Sequence, residues 1–188
     1  MVEIKVLTTL ARADMQQVMS GYTSAERYAV SVEETDTLTT FQLRLETLPQ
    51  PYTRDFRSGL TAEDMQRYQG LLPQGFSLGA YAAGQLAGVA IGGAEEWNGT
   101  LWIWEFHVAQ TFQGRGIGRS LMDRLANLAR PAGLRTLRVE TQNTNVPAIR
   151  FYRRAGFRME AVDISFYTNH DLDNGEVAVF LKRRLDKV

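Results

Sequence analysis

Apolar positions along this chain follow two rhythms, alternation and a three-to-four-residue helical spacing. Val2 to Leu7 alternates weakly and predicts a first strand. Met15, Val18, Met19 and Tyr22 fall at helical spacing and predict a helix over about Arg12 to Ser20. Residues 23 to 36 are polar and give no clear period. Phe41, Leu43 and Leu45 alternate with polar neighbours, a strand predicted to stop before Pro49 and Pro51. Thr61, followed by Glu63 and Asp64, reads as an N-cap with an acidic first turn, opening a short helix to about Gln69.

The middle of the chain is more regular. Phe76 to Ala82, Gln85 to Trp97 and Thr100 to Ala109 read as three strands, separated by Ala83-Gly84 and Asn98-Gly99. Asn-Gly between apolar runs is a strong hairpin signal, so these strands form an antiparallel meander. A glycine-rich loop follows, then a helix with Leu121, Leu125 and Leu128 on one face, stopped by Pro131 and Gly133. Leu134 to Gln142 is a strand. Asn145 fits an N-cap with Pro147 in the first turn and Gly156 at the end of the helix. Phe157 to Val162 and Val177 to Arg184 read as closing strands. The expected class is α/β: a single domain over residues 1–188, with one mixed, largely antiparallel sheet flanked by helices.

Composition narrows the chemistry. Of 188 residues, Lys plus Arg and Asp plus Glu number 21 each, so no net field gathers nucleic acid or an anionic membrane. An anion site must be built locally. With no cysteine, disulfides, thiolate metal sites and a cysteine nucleophile are excluded, and two histidines argue against a histidine-rich metal centre. Met1 to Leu10 lacks a signal-peptide pattern, and no run of roughly 18 apolar residues occurs. A cytoplasmic protein is expected.

The loop Gln113-Gly114-Arg115-Gly116-Ile117-Gly118 supplies such a local site. Its glycines let backbone N–H groups curl around an anion, and the following helix adds the partial positive charge of its N-terminus. Arg115 and Arg119 bring fixed charge and paired donors. A nucleoside-triphosphate loop would need a lysine after its last glycine, and none follows. A dinucleotide fold finds a tempting carboxylate in Glu140 but has Arg119 where the third small residue belongs, and the preceding hairpins contradict a βαβ start.

The second segment, Asn145 to Phe157, is by itself a short amphipathic helix with Ala148, Phe151, Tyr152 and Ala155 inward. Taken together, Gln113-x-x-Gly116-x-Gly118, Asn145-x-x-Ala148-x-x-x-Tyr152 and Gly156-Phe157 resemble the GNAT superfamily of acyl-coenzyme A N-acyltransferases. The likeness spans residues 76 to 184. Within the superfamily, Arg138 to Gln142, Asn145 to Ala148, Val162 to Ile164 and Pro51-Tyr52-x-Arg54-Asp55 are similar to the streptothricin acetyltransferase group; residues 1–40 and the loop from Asn169 to Gly175 match less well. The resemblance implies that the fourth and fifth sheet strands splay to admit acetyl-CoA. Backbone groups of Gln113, Gly114, Arg115, Gly116, Ile117, Gly118, Arg119 and Ser120 would hold its diphosphate. Phe106, His107 and Val108 would pair with the pantetheine arm, and Asn145 and Ala148 would meet it near the splayed strands. Tyr152 would face the sulfur, and Arg150, Arg153 or Arg154 the adenosine phosphate. Residues 1–75 would wall the acceptor side, and a homodimer is common in such proteins.

The expected chemistry is acetyl transfer from acetyl-CoA to a primary amine of a small molecule, such as an aminoglycoside or a streptothricin-like antibiotic. Acetylation of a protein N-terminus or lysine, or a silent acyl-CoA sensor, are the alternatives. An amine with a pKa near 10.4 needs a base. Glu105 is the first candidate, with His107 on the same face of its strand and Trp104 and Phe106 opposite. Tyr152 would protonate the leaving thiolate, and a backbone N–H near Val108 would steady the carbonyl oxygen.

Overall fold

The computed structural model describes residues 2–185. The described residues divide into two compact units, one of residues 2–21, 55–139 and 183–185, the other of residues 22–54 and 140–182. Both combine mostly antiparallel strands with flanking helices in a mixed α/β arrangement.

The first unit contains β1 (Val2–Val6), α1 (Arg12–Val18), α2 (Ala62–Leu71), β4 (Leu78–Ala82), β5 (Gln85–Glu95), β6 (Thr100–Val108), α3 (Ile117–Ala129) and the start of β7 (Thr136–Gln142). Its strands lie in the order β1-β4-β5-β6-β7. The first four are antiparallel to one another, and β6 pairs with β7 in parallel from Thr100↔Thr136 to Ile103↔Val139. Trp104–Val108 of β6 runs on beyond that register. On one side of the sheet Met15, Val18, Met65, Tyr68 and Leu72 from α1, α2 and the turn after α2 pack with Leu86, Val89 and Ile91 of β5. On the other side α3 buries Ile117, Leu121, Met122 and Leu125, each contributing about 1.5–3 kcal/mol. Gly88 permits this close layer: a Cβ there would lie 2.8 Å from the His107 carbonyl and 3.4 Å from Leu121.

The second unit contains β2 (Tyr22–Glu34), β3 (Thr39–Arg54), the end of β7, α4 (Val146–Arg154), β8 (Arg158–Asp163), the one-turn α5 (Asp171–Asn174) and most of β9 (Ala178–Arg184). Its sheet strands run β7-β9-β8, and β2 and β3 form a separate antiparallel pair. Two expectations are corrected here. Residues 23–36, without a readable period, are mostly strand β2. The strand through Phe41 does not stop at Pro49 but continues to Arg54. A register shift explains this. The pairing jumps from Glu26↔Thr47 to Ser24↔Tyr52, so Leu48 to Pro51 bulge opposite Ala25 and the prolines' missing N–H groups withdraw nothing from the ladder. Among the described residues no helix is long and apolar enough to cross a membrane.

Candidate active site

Strand β6 carries Glu105 and His107, the candidate base and its neighbour. The β5–β6 register shifts between Ile91↔Glu105 and Gly92↔Ile103, leaving Trp104 as an extra residue. Bulges of this kind re-aim the side chains beside them. Glu105 Oε2 lies 2.6 Å from His107 Nε2, and Glu105 Oε1 accepts the Tyr68 hydroxyl at 2.5 Å. The carboxylate is therefore held from both sides, at 20% side-chain exposure against 11% for His107. The edge of the Phe56 ring stands against the imidazole, with centroids 6.1 Å apart. Burial, followed by the charge of Glu105 and the bond to it, pushes the Tyr68 phenol far above its ordinary range, so this group stays a donor. A carboxylate offers only acceptors, so His107 Nε2 is the donor of that pair.

The same register fixes the backbone. Ala109 N–H donates to the Ala87 carbonyl at 2.9 Å, making that pair the hydrogen-bonded one. By alternation, the N–H and C=O of Val108 and Phe106 turn away from β5. Gln113 uses its side chain to donate to the Val108 carbonyl at 3.0 Å, tying the glycine loop to the strand end. Gly114 and Gly116 take φ values of +74° and +81°, and a Cβ on either would meet nothing within 4 Å. Gly116 is the N-cap of α3 and offers no side chain to its first N–H groups. The helix's first backbone bond runs from Ser120 N–H to the Gly116 carbonyl, and the Ser120 hydroxyl donates to that carbonyl as well.

These features fit a diphosphate. Open space, left-handed glycines and uncapped N–H groups at the tip of a 13-residue helix are what an anion of that shape needs. Individual residues contribute unequally. The Ile117 side chain is buried in the core, so only its backbone faces the loop. Arg119 leans along the helix to Asp123 at 2.9 Å, and Arg183 also reaches Asp123, at 2.9 Å. Burial opposes ionisation of Asp123, but these two guanidinium partners outweigh it and hold its pKa low. Arg115 lies over the Phe112 ring at 5.4 Å.

In the second unit Asn145 caps α4: its Oδ1 accepts from Ala148 N–H at 3.2 Å and its Nδ2 donates to Thr141 Oγ1 at 3.1 Å. Asn145 is only 7% exposed, so its side chain is largely spent inside the fold. Tyr152, on the same helix, is buried and packs against Phe151 and Phe157. Of the arginines considered for an adenosine phosphate, Arg150 pairs with Glu26 at 2.7 Å and Arg153 donates to the Tyr28 hydroxyl at 2.8 Å.

A polar cluster that the sequence did not announce lies in the same unit. Tyr52 and Arg54 converge on Glu176, the Tyr52 hydroxyl at 3.0 Å. The Tyr22 hydroxyl meets Thr144 Oγ1 at 2.7 Å, and the Tyr167 hydroxyl donates to Glu140. Asn143 binds these segments together, donating to the Tyr28 and Gly175 carbonyls and accepting from Val177 N–H. Asp171 fixes the Tyr167 turn; burial works against its charge, but bonds from the Thr168 side chain and the Tyr167 and Thr168 N–H groups hold its pKa low.

Thus the first unit brings together Glu105, Phe106, His107, Val108 and Gln113 through Ser120, while Asn145, Ala148 and Tyr152 share one helix of the second. Tyr68 was missed because only its helical spacing with Met65 and Leu72 is legible; its bond joins residues 37 positions apart.

Comparison with known proteins identifies the family and the fold. The Acetyltransferase (GNAT) family matches residues 41–157. A streptothricin acetyltransferase of Streptomyces lavendulae is 40% identical over 100 residues, 53% of this chain and 52% of that protein. The chain spans about half the length of the curated relatives it matches first. A crystal structure of nourseothricin acetyltransferase superposes with a TM-score of 0.74 at 26% identity, covering 98% of this chain and 99% of the other. A Bacillus anthracis strain Ames protein crystallised with acetyl coenzyme A shares the fold, with a TM-score of 0.75 at 20% identity and 99% coverage of both chains. With its family match extending over well more than half of its residues, this chain belongs to the GNAT acetyltransferase family.

Proposed function

We propose that this protein is an acetyl-CoA-dependent N-acetyltransferase acting on a primary amine of a small cationic molecule, of the streptothricin kind. The observation that carries the reading is the glycine-capped, uncapped-by-side-chain tip of α3, tied by Gln113 to the end of β6. The 40% identity to a streptothricin acetyltransferase supports the acceptor class.

Acetyl-CoA supplies an acetyl group already activated as a thioester. The backbone N–H groups around Gly114 to Gly118 hold its diphosphate, and the outward-turned groups of Phe106 align its arm. The Glu105–His107 pair takes a proton from the acceptor ammonium, freeing the lone pair that forms the new C–N bond. Val108 N–H steadies the negative charge that develops on the carbonyl oxygen. As the C–S bond breaks, the Tyr152 hydroxyl gives its proton to the sulfur, and the second proton that the nitrogen loses as the amide forms restores the Tyr152 hydroxyl. The proton taken from the amine leaves to solvent through the Glu105–His107 pair.

A thiol-release assay tests this over streptothricin, aminoglycosides, polyamines and a peptide N-terminus. The highest kcat/KM is expected on streptothricin. Preference for the peptide would move the acceptor to proteins, and coenzyme A binding without thiol release on any amine would mark a silent sensor and overturn the enzymatic reading.

A further inference from the structure

Gln142 has an unusual side chain for its position. It is 9% exposed, and its Oε1 has no hydrogen-bond partner among the described residues. A buried carbonyl oxygen left without a donor has given up its water and gained nothing in return. Its amide faces the Tyr167 hydroxyl, which itself donates to Glu140. Burial, then the charge of Glu140 and the bond to it, then the more distant Glu176, push the Tyr167 phenol far up, so two carboxylates act on this one hydroxyl. Tyr52 and Arg54 reach Glu176 from β3. The cluster thus offers a carboxylate and an unpartnered amide oxygen, both of which favour a positively charged donor.

We propose that Glu140, Gln142 and Tyr167 seat a protonated nitrogen of the acceptor, distinct from the nitrogen that is acetylated. This rests on the N-acetyltransferase reading above. An ammonium has three donors and no acceptor, matching Gln142 Oε1 and a carboxylate oxygen of Glu140. The nitrogen seated here cannot be the reacting one. Carboxylate and carbonyl acceptors stabilise the charged form, whereas attack on a thioester requires the neutral amine. The seat therefore selects acceptors carrying at least two basic nitrogens, which separates streptothricin-like and polyamine substrates from simple monoamines. It also gives the segment Arg138 to Gln142 a role beyond packing.

Calorimetric titration of the intact chain with streptothricin, beside a separate titration with coenzyme A, tests the seat without turnover. Glu140→Gln and Gln142→Leu should each weaken streptothricin binding by about tenfold or more and leave the coenzyme A affinity as in wild type. Glu140→Gln keeps an acceptor for Tyr167, so it serves if Gln142→Leu fails to fold. Unchanged streptothricin affinity in Glu140→Gln, or no streptothricin binding by the wild type, overturns the seat. Failure of the enzymatic reading shows separately, as absence of thiol release or of coenzyme A binding.

Discussion

The Tyr68 hydroxyl of α2 donates to Glu105 of β6 at 2.5 Å, across 37 residues of sequence. It holds one carboxylate oxygen while His107 holds the other. Tyr68 is thus a positioning residue for the proposed base. Tyr68→Phe should lower kcat while leaving coenzyme A affinity intact, and cost about 0.5–1.5 kcal/mol of stability. Glu105→Gln should cost more activity, about 10²–10⁴-fold in kcat. Steady-state kinetics with calorimetry checks both; a Tyr68→Phe change confined to stability would make the contact purely structural.

Alkaline titration followed by phenol absorbance offers a second check. Burial first, and neighbouring carboxylates after it, push Tyr22, Tyr68 and Tyr167 well above the ordinary phenol range. A raised pKa means that the protonated form favours the fold. That contribution is complete below the unfolded phenol's pKa of about 10 and is lost as pH climbs toward the folded values. Of seven tyrosines, these three should ionise only as the protein unfolds. Smooth titration of all seven near pH 10 in the folded state would contradict the burial described.

Glycine substitutions separate strain from ligand binding. Gly116→Ala forces a side chain to φ +81°, costing about 1–2 kcal/mol, and sets a methyl group in the space assigned to the diphosphate. Coenzyme A affinity should fall along with stability. Gly75→Ala carries a similar strain at φ +77° in a turn distant in sequence from the loop. It should lose stability alone.

Asn145→Ala removes the cap from Ala148 N–H and the bond to Thr141. Denaturant melts should show a loss of about 0.5–2 kcal/mol. A variant as stable as wild type would release Asn145 from its structural role and return it to ligand contact.

The sequence was most readable where local chemistry decides the structure. Asn98-Gly99 marked its turn, Thr61 and Asn145 capped the helices expected of them, and Gly114 and Gly116 took the left-handed angles that favour glycine. The face shared by Glu105 and His107 followed from strand alternation and survives beside the bulge at Trp104. Long-range pairing was not legible. β2 is polar because it belongs to a two-stranded pair with much of its surface exposed, so burial imposes no period on it. Pro49 and Pro51 are tolerated by a register shift that only the partner strand reveals. Tyr68, Gln142 and Tyr167 gain their chemistry from residues brought together by folding.

The most direct test of the diphosphate cradle at α3 is calorimetric comparison of coenzyme A with pantetheine, which keeps the arm but lacks the diphosphate and nucleotide. The account predicts that coenzyme A binds at least about 100-fold more tightly, and that Gly116→Ala erases most of this difference. Equal affinity for the two ligands would contradict it.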